Sequence, residues 1–265
     1  MTIRVRAPAT TANLGPGFDC AAVALELWNE LEVDEGGEPD RAHLGVQAFE
    51  LLASPEGRTF RFTSRIPRER GLGSSASVIA LGLVAGARAA GVDPEPEQLL
   101  SLGLPLEGHG DNLAAALAGG VCLTWDTRIA RIADDVPAAP IALVPSTRTS
   151  TATSRAALPE AVSHDDAAFT AGRAALLGAA LTSGDAKLFA SALHDRLHEP
   201  YRSPFLEDVR ARLPVSALGA TLSGSGPTVM VWAWRDEAEA CAAALADLHP
   251  DVEVLALRVA TQGAA

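Results

Sequence analysis

The chain has 265 residues, of which 48% are hydrophobic and 20% are charged, and its formal net charge is −12 at pH 7. This length can bury a full core, either as one large domain or as two closely packed lobes. The negative charge argues against a nucleic-acid partner, because neutralising phosphates requires a basic face. The sequence contains no long apolar segment typical of a membrane span and no secretory signal pattern. A cytoplasmic protein without a membrane partner is therefore expected.

The cysteines give no sign of a metal site. Cys20, Cys122 and Cys241 are far apart and lie in apolar or alanine-rich surroundings. Their odd number and the lack of metal-ligand spacing favour buried free thiols over a disulfide or a zinc site.

Strand-like and helix-like segments alternate along the chain, without repeats or low-complexity linkers. The predicted strands lie, in chain order, near Ile3–Arg6, Ala21–Val33, Thr59–Ser64, Val121–Trp125, Ile141–Val144, Ala217–Leu222, Thr228–Trp234 and Val252–Arg258. The predicted helices lie near Arg41–Ala53, Ser75–Ala90, Glu95–Leu102, Asn112–Ala118, Ala167–Leu181, Lys187–Leu197, Phe205–Arg212 and Asp236–Leu248, the last with Asp236 as its N-cap. The connector Asp134–Pro140 is predicted as a loop, because its prolines would interrupt a helix.

Three loops of unusual composition separate these elements. Ala7–Asp19 is polar and rich in turn residues, and it reads Ala-Pro-Ala-Thr-Thr-Ala-Asn-Leu-Gly-Pro-Gly-Phe-Asp. Glu107–Asn112 opens an alanine-rich helix and reads Glu-Gly-His-Gly-Asp-Asn. Ser223–Pro227 reads Ser-Gly-Ser-Gly-Pro and lies between two strand-like runs. Each loop alone is a turn, but together with a fourth loop they indicate a functional site.

The fourth loop, Pro67–Ala76, reads Pro-Arg-Glu-Arg-Gly-Leu-Gly-Ser-Ser-Ala between a strand and an apolar helix. Gly71 and Gly73 allow backbone angles and close approaches that a Cβ would block. The free N–H groups of the first helical turn and the positive end of the helix can bind an anion. Ser74 and Ser75 add hydroxyls that can contact phosphate or a metal ion. We therefore consider this loop a candidate phosphate site.

A simpler interpretation of the glycine loop stays open. A glycine-rich turn with serines before a helix is often only a turn with an N-cap. The loop has no lysine where a P-loop has one, and Ala76 replaces the last glycine of a dinucleotide-binding fingerprint. The glycines alone therefore do not establish a nucleotide site. The missing last glycine also disfavours an oxidoreductase of the Rossmann type.

The motifs together resemble those of the GHMP small-molecule kinases. The matching segments are Pro67–Ala76, Ala12–Asp19 and Leu222–Thr228, and they occur in the family's order from about Val5 to about Trp234. Within this family the chain is most similar to members that phosphorylate homoserine. That similarity rests on Asn-Leu-Gly-Pro-Gly-Phe-Asp, on Glu-Gly-His-x-Asp-Asn, and on the sequences around Arg155 and Arg202.

The resemblance implies an α+β fold of two lobes. It implies a ribosomal-protein-S5-like N-terminal lobe at residues 1–145, which binds nucleotide and Mg²⁺. A ferredoxin-like C-terminal lobe at residues 146–265 would complete the acceptor site. Relatives often dimerise, so a homodimer is an open expectation, and the apolar strand Val229–Trp234 fits either a core or an interface.

The resemblance also implies ATP and Mg²⁺ as cofactors. Ser75 and Glu107 match the positions that hold the metal in relatives, and a hydroxyl and a carboxylate are oxygen ligands that suit Mg²⁺. Without the family, Glu107 fits a surface carboxylate in a loop. The segment after Val33 is short for the family, which leaves the nucleotide preference open. The residues expected to bind ATP are Pro67, Arg70, Gly71, Leu72, Gly73, Ser74, Ser75 and Ala76.

The implied reaction is phosphorylation of L-homoserine to O-phospho-L-homoserine, a step of threonine biosynthesis. Homoserine is a zwitterion with a primary hydroxyl, so its site needs a cation, an acceptor for the ammonium group and a partner for the hydroxyl. The matching residues are Asn13, Asp19, His109, Asn112, Arg155 and Arg202. Taken singly, each arginine fits a solvated helix charge, and Asp19 fits a helix N-cap.

The two residues expected to take part in catalysis are Asp19 and Asn112. An amide cannot accept the hydroxyl proton, so we expect catalysis chiefly by positioning and electrostatics, with both residues orienting the acceptor. Asp19 as a true base is the minority hypothesis. Ser223–Gly226 is expected to close the floor of the site, or to be only a hairpin turn. Two other functions stay open: a GHMP kinase for another small alcohol, and a catalytically silent binding protein of this fold.

Overall fold

A five-stranded antiparallel sheet forms the first half of the molecule in the computed structural model, which describes residues 2–265. Its strands are β1 (Ile3–Asn13), β2 (Gly17–Glu35), β3 (Arg58–Thr63), β4 (Val121–Trp125) and β5 (Arg128–Ala133). The strand order is β1-β2-β4-β5, and β3 pairs with the distal half of the long β2. The paired strands are antiparallel throughout.

A four-stranded antiparallel sheet forms the second half. Its strands are β6 (Ala139–Val144), β7 (Ala217–Leu222), β8 (Val229–Ala233) and β9 (Glu253–Ala256). The strand order is β7-β8-β6-β9. The predicted lobe boundary at 145/146 falls after β6, although β6 pairs with β8 and β9 in this second sheet. The mixed α+β architecture that the sequence predicts is confirmed.

Helices cover both sheets. The elements α1 to α5 are Leu44–Glu50, Ser74–Ala90, Pro96–Glu107, Gly110–Ala118 and Thr151–Ala156. The elements α6 to α10 are His164–Ser183, Ala186–Ala192, Glu199–Arg202, Pro204–Ala211 and Ala238–Leu248, the last preceded by a 3-10 turn at Arg235–Glu237. In the described part of the chain, no helix combines the length and the apolar character needed to cross a membrane.

Strand alternation divides the interior into three apolar clusters. The first cluster lies between the first sheet and α1 to α4. The second lies between the two sheets and includes α6 and α7, and the third lies between the second sheet and helices α9 and α10. In β8, Met230 and Trp232 enter the second cluster, whereas Val229 and Val231 enter the third, because successive strand residues face opposite sides. All of β8 is buried in the single chain, so it is core rather than interface.

The last residues return to the first sheet. Val259 forms an isolated antiparallel bridge with Leu25. The backbone of Ala265 pairs with that of Arg6 in both directions, at 2.9 and 3.0 Å. Gly263 lies so close to Leu117 that a Cβ there would be 2.0 Å from the Leu117 carbonyl oxygen. The C-terminal segment therefore packs against the N-terminal lobe, although it follows β9 of the second sheet.

Several of the predicted element bounds are wrong. The predicted loop at Ala7–Asp19 is mostly strand, because β1 continues to Asn13 and β2 already begins at Gly17. Backbone pairing of Thr10 with Ala24 overrides the turn-rich composition of this segment. Asp19 lies within β2 and is not a helix N-cap, and Glu237 rather than Asp236 precedes α10.

Other elements are shorter, longer or new. Strand β5 and the short helices α5 and α8 are absent from the prediction, and the predicted helix Lys187–Leu197 ends at Ala192. Helix α3 extends beyond Leu102 to Glu107, and β6 includes Pro140, so the predicted loop there is shorter. The three cysteines are free, with Cys122 and Cys241 buried and Cys20 half-buried.

Candidate active site

A cavity of about 720 Å³ lies where the four unusual loops meet. It is bordered by the first sheet, the N-terminal ends of α2 and α4, and the segment that contains α5. Most of the predicted site residues line this cavity: Asn13, Asp19, Arg70, Gly71, Gly73, Ser74, Ser75, Glu107, His109, Asn112, Arg155 and Arg202. The structure thus brings together residues that are up to 189 positions apart, from Asn13 to Arg202.

Three predicted nucleotide-binding residues do not line the cavity. The side chains of Leu72 and Ala76 are fully buried and belong to the apolar clusters. Pro67 lies at the start of the loop, outside the cavity wall. The backbone of Leu72 still connects the loop to β1, because its carbonyl oxygen accepts a hydrogen bond from the backbone N–H of Thr10 at 3.2 Å.

The glycine loop ends at the N-terminus of α2. Gly71 has φ +80° and Gly73 has φ +64°, a left-handed conformation that favours glycine. Gly73 is also the N-cap of α2, and Ser74 is its first residue. The first N–H groups of a helix have no partner within it, so those of α2 are available at the cavity. This junction has the geometry of an anion site.

The loop at Ser223 holds the glycine loop in place. The Ser223 hydroxyl donates to the carbonyl oxygen of Gly71 at 2.6 Å, and it lies 2.8 Å from Oγ1 of Thr11. The backbone N–H of Thr228 donates to the carbonyl oxygen of Arg70 at 3.2 Å. A Cβ on Gly71 would lie 2.2 Å from the Ser223 carbonyl oxygen, so the two loops touch at their backbones.

Ser75 and Glu107 form a pair of oxygen groups beside the glycine loop. The Ser75 hydroxyl donates to Oε1 of Glu107 at 2.8 Å. Burial raises the pKa of Glu107 to about 7. The hydrogen bond from Ser75 opposes this rise, and the Asp111 carboxylate adds to it. A divalent cation would favour the ionised carboxylate, and the hydroxyl and carboxylate suit Mg²⁺. Among residues 2–265, no cluster of three or more His, Cys, Asp or Glu side chains is arranged to hold a metal ion.

Two arginines that line the cavity lie against the ring of Phe18. The guanidinium carbon of Arg155 lies 5.5 Å from the Phe18 ring centroid, and that of Arg202 lies 4.9 Å from it. The His198 ring stacks on Phe18 with the centroids 4.7 Å apart. Burial and the charge of Arg155 lower the pKa of Arg202. Two cations held this close together suit an anionic group such as a carboxylate.

Asp19 and Asn13 lie beside these arginines. Nη2 of Arg155 donates to both carboxylate oxygens of Asp19 at 2.6 Å. The backbone N–H of Asp19 donates to Oδ1 of Asn13 at 3.0 Å, and Nδ2 of Asn13 donates to the Gly224 carbonyl oxygen at 2.9 Å. Asn13 and Asp19 have φ of +75° and +57°. The tight turn between β1 and β2 therefore presents Asp19 to the cavity.

His109 and Asn112 enter from the start of α4. His109 precedes the first residue of this helix, and burial together with the charge of Arg155 lowers its pKa. Oδ1 of Asn112 accepts a hydrogen bond from the Thr10 hydroxyl at 2.6 Å. Asn112 therefore lies beside the glycine loop, where a Cβ on Gly73 would be 3.1 Å from its Oδ1.

Sequence reasoning missed Asp111, although it stands inside the quoted motif. This carboxylate lines the cavity, only 3% of the residue is exposed, and burial raises its pKa to about 6. It also missed other residues that line the cavity, among them Asp40, His43, Arg68 and Arg148. The His43 ring stacks on Phe62 with the centroids 4.0 Å apart. Arg68 stands inside the glycine-loop motif, whereas the segments of Asp40, His43 and Arg148 carry no motif that distinguishes them from surface loops.

Comparisons with known proteins identify the family. The model of the GHMP kinases N terminal domain matches residues 42–120, and that of the GHMP kinases C terminal domain matches residues 168–251. The chain belongs to the GHMP kinase family, and the kinase activity and two-lobed fold that its motifs predict are confirmed.

Within the family, the chain is similar to homoserine kinases. It is 41% identical to the homoserine kinase of Streptomyces coelicolor, over 89% of this chain and 86% of that protein. It is 40% identical to the homoserine kinase of Gloeobacter violaceus, over 93% of each chain. The crystal structure of homoserine kinase from Cytophaga hutchinsonii has a TM-score of 0.89 and 24% identity, covering 100% of this chain and 96% of that one.

Proposed function

We propose that this chain catalyses the ATP-dependent phosphorylation of L-homoserine to O-phospho-L-homoserine, a step of threonine biosynthesis. The observation that carries the proposal is a single cavity lined both by a helix N-terminus, which we call its nucleotide end, and by two arginines, which we call its acceptor end. This cavity occurs in a chain that is 41% identical to a homoserine kinase over most of its length. An anion-binding end and a zwitterion-binding end in one cavity suit transfer of a phosphoryl group to an amino acid.

The nucleotide end would hold the triphosphate of ATP. Backbone N–H groups at the start of α2 and the positive end of that helix favour phosphate oxygens. Arg70, whose guanidinium donates to the Pro145 carbonyl oxygen, adds positive charge at the cavity wall. Ser75 and Glu107 would hold Mg²⁺, which when bound offsets the negative charge of the phosphates.

The acceptor end would hold L-homoserine. The guanidinium groups of Arg155 and Arg202 suit its carboxylate. The carboxylates of Asp19 and Asp111 lie on the cavity wall and suit its ammonium group. His109 and Asn112 lie on the side of α4, where they would contact the hydroxyl region of the substrate.

The chemistry requires alignment more than covalent participation of the protein. The substrate hydroxyl oxygen forms a bond to the γ-phosphorus of ATP, and the bond from that phosphorus to the bridging oxygen breaks to release ADP. The hydroxyl proton passes to the transferring phosphoryl group. Asp19 is engaged by Arg155 through both oxygens, which suits an orienting group better than a proton acceptor. Catalysis then comes from positioning and electrostatic stabilisation.

The test is ADP release by the purified protein with Mg-ATP. L-homoserine is compared with no acceptor and with a panel of L-serine, L-threonine, mevalonate, shikimate and galactose. We expect release to depend on L-homoserine, and phosphorus NMR to detect O-phospho-L-homoserine as the product. Release with another alcohol would retain the kinase chemistry and overturn the substrate. No release with any acceptor would instead favour a silent binding protein.

The proposal extends to the setting of the enzyme. Three free cysteines suit a reducing compartment, and we propose the cytoplasm. We also propose a homodimer, for which the buried strand β8 cannot supply the interface. Sedimentation velocity tests this second point directly, because a monomer at micromolar concentration would contradict it.

A further inference from the structure

Thr10 contacts the functional residue Asn112 from within the core. Thr10 lies in β1, is fully buried, and is absent from the residues predicted to form the site. Its hydroxyl donates to Oδ1 of Asn112 at 2.6 Å across 102 residues of sequence. A buried hydroxyl that donates its single hydrogen bond to one side-chain oxygen can determine how that side chain is oriented.

The opposite side of the Asn112 amide faces a carboxylate. Oδ1 of Asp111 lies 3.3 Å from Nδ2 of Asn112 and 2.7 Å from its backbone nitrogen. An ionised carboxylate only accepts hydrogen bonds, so the amide nitrogen must face Asp111. The amide oxygen must then face the hydroxyl of Thr10. The two neighbours therefore select the same orientation of the amide.

We infer that Thr10 is a positioning residue that makes Asn112 a hydrogen-bond donor toward the acceptor oxygen of the substrate. The amide oxygen is occupied by Thr10, and one N–H is directed at Asp111. Asn112 lines the cavity, so its second N–H is the group left for a ligand. This inference rests on the proposed function, because it takes the ligand to be the phosphoryl acceptor.

Thr10 also connects Asn112 with the phosphate loop. Its backbone N–H donates to the carbonyl oxygen of Leu72 at 3.2 Å. A Cβ on Gly73 would lie 1.9 Å from Oγ1 of Thr10 and 3.1 Å from Oδ1 of Asn112. One threonine thus fixes the spacing between the loop that would hold the donor phosphates and the amide that would orient the acceptor.

The neighbouring Thr11 has a different contact. It is equally buried, but its hydroxyl lies 2.8 Å from Oγ of Ser223, in the loop behind the glycine loop. Successive strand residues face opposite sides of the sheet, so the two threonines cannot replace each other. The assignment is therefore specific to Thr10.

The first experiment compares Thr10→Val, which keeps the shape but lacks the hydroxyl, with Thr10→Ser, which keeps the hydroxyl. Ser77→Ala is the matched control, because Ser77 is fully buried and donates to the Ala7 carbonyl oxygen away from the cavity. For Thr10→Val we expect kcat to fall by about tenfold or more, with the KM for ATP changed little. Thr10→Ser should restore most of the rate, and Ser77→Ala should not lower it comparably.

A double-mutant comparison with Asn112→Ala isolates the route of the effect. If Thr10 acts through Asn112, Thr10→Val should cause little further loss of kcat in the Asn112→Ala background. Losses that multiply in the double variant would overturn the inference. So would a Thr10→Val enzyme with the rate of wild type, or a Thr10→Ser enzyme as slow as Thr10→Val.

A second readout does not depend on activity. In nitrogen-15 NMR of the ligand-free protein, the side-chain NH₂ resonances of Asn112 are assigned by their loss in Asn112→Ala. Thr10→Val should shift these resonances, whereas Ser77→Ala should leave them in place. Unchanged resonances in Thr10→Val would overturn the inference. A wild-type protein without homoserine-dependent ADP release would refute the proposed function instead, and the NMR comparison would still decide the orientation of Asn112.

Discussion

Asp19 and Arg155 join two distant parts of the chain at the wall of the cavity, with both Asp19 oxygens 2.6 Å from Nη2 of Arg155. Asp19 belongs to β2 of the first sheet, and Arg155 belongs to α5, which follows the first strand of the second sheet. The two side chains are 39% and 34% exposed, so solvent screens the pair and limits it to about 1 kcal/mol or less. Its main effect is to place Arg155, not to stabilise the fold.

The first prediction concerns the two arginines at Phe18. Arg155→Ala and Arg202→Ala should each raise the KM for L-homoserine by about tenfold to a hundredfold, because each removes a charged hydrogen-bond donor to the substrate carboxylate. The KM for ATP should change little. Steady-state kinetics with each substrate varied in turn measure both values.

Arg128→Ala is the control for this pair. Arg128 is exposed, forms an ion pair with Glu97 at 2.9 Å, and lies outside the cavity wall. Its replacement should leave both KM values unchanged. If Arg155→Ala and Arg202→Ala raise the KM for ATP instead of that for L-homoserine, the acceptor end has been assigned wrongly.

The second prediction separates two roles of Asp19. General-base catalysis contributes about 10²–10⁴-fold to a rate. We expect Asp19→Asn to raise the KM for L-homoserine several-fold, because Arg155 loses its partner, but to lower kcat by less than about tenfold. A drop in kcat of a hundredfold or more, with little change in KM, would make Asp19 the base and contradict our mechanism.

The third prediction concerns the glycine loop. In Gly73→Ala the new Cβ meets Thr10 at 1.9 Å, and the residue keeps φ +64°. Gly91→Ala has nearly the same φ, +69°, but nothing within 4 Å of the new Cβ. The left-handed conformation costs about 1–2 kcal/mol in both variants, so Gly91→Ala isolates the backbone cost.

The difference between the two glycine variants is the measurable effect. Gly73→Ala should lower the free energy of unfolding by more than Gly91→Ala, as measured by urea denaturation. It should also raise the KM for ATP, which Gly91→Ala should leave unchanged. Equal losses of stability in both variants would mean that the loop moves away from Thr10 at little cost.

The fourth prediction concerns pH. Burial raises the pKa of Glu107 to about 7 in the folded state, against 4.5 for the ordinary side chain. The folded state then binds this proton more tightly than the unfolded state. Protonation of Glu107 therefore adds to the free energy of unfolding at low pH, and this addition is lost as pH rises from about 4.5 through 7. Glu107→Gln should therefore gain stability relative to wild type between pH 5 and pH 8, in the absence of Mg²⁺.

Urea denaturation at the two pH values gives the comparison. Glu160→Gln, at an exposed position outside the cavity, is the control and should show no such gain. A stability difference between Glu107→Gln and wild type that stays constant from pH 5 to pH 8 would show that Glu107 does not carry this dependence.

The chemistry-bearing loops were predictable because their composition is unusual over short distances. Gly71 and Gly73 mark a loop that enters a helix, and the structure confirms that junction at α2. The helices α2 and α4 and the central strands of both sheets are also close to their predicted positions. In these elements local pattern and tertiary packing favour the same structure.

Other parts depend on contacts that no local pattern reveals. The strand-like conformation of Thr10 and Thr11 comes from pairing with β2, and the sequence there reads as a turn. Strand β5 has mostly half-buried residues and alternates weakly, so its pattern did not stand out. Asp111 gains its raised pKa from burial, which only the folded chain supplies. The functional assignments of the cavity residues themselves stay predictions until the variants are measured.

The return of the C-terminal segment has a consequence for how the protein is made. Arg6 in the first strand pairs with Ala265, and Leu25 pairs with Val259, so the first lobe lacks part of its structure until these late residues exist. Domains generally fold as units as they leave the ribosome, N-terminal ones first. Here the lobe that is synthesised first is completed only after the whole second sheet has been synthesised.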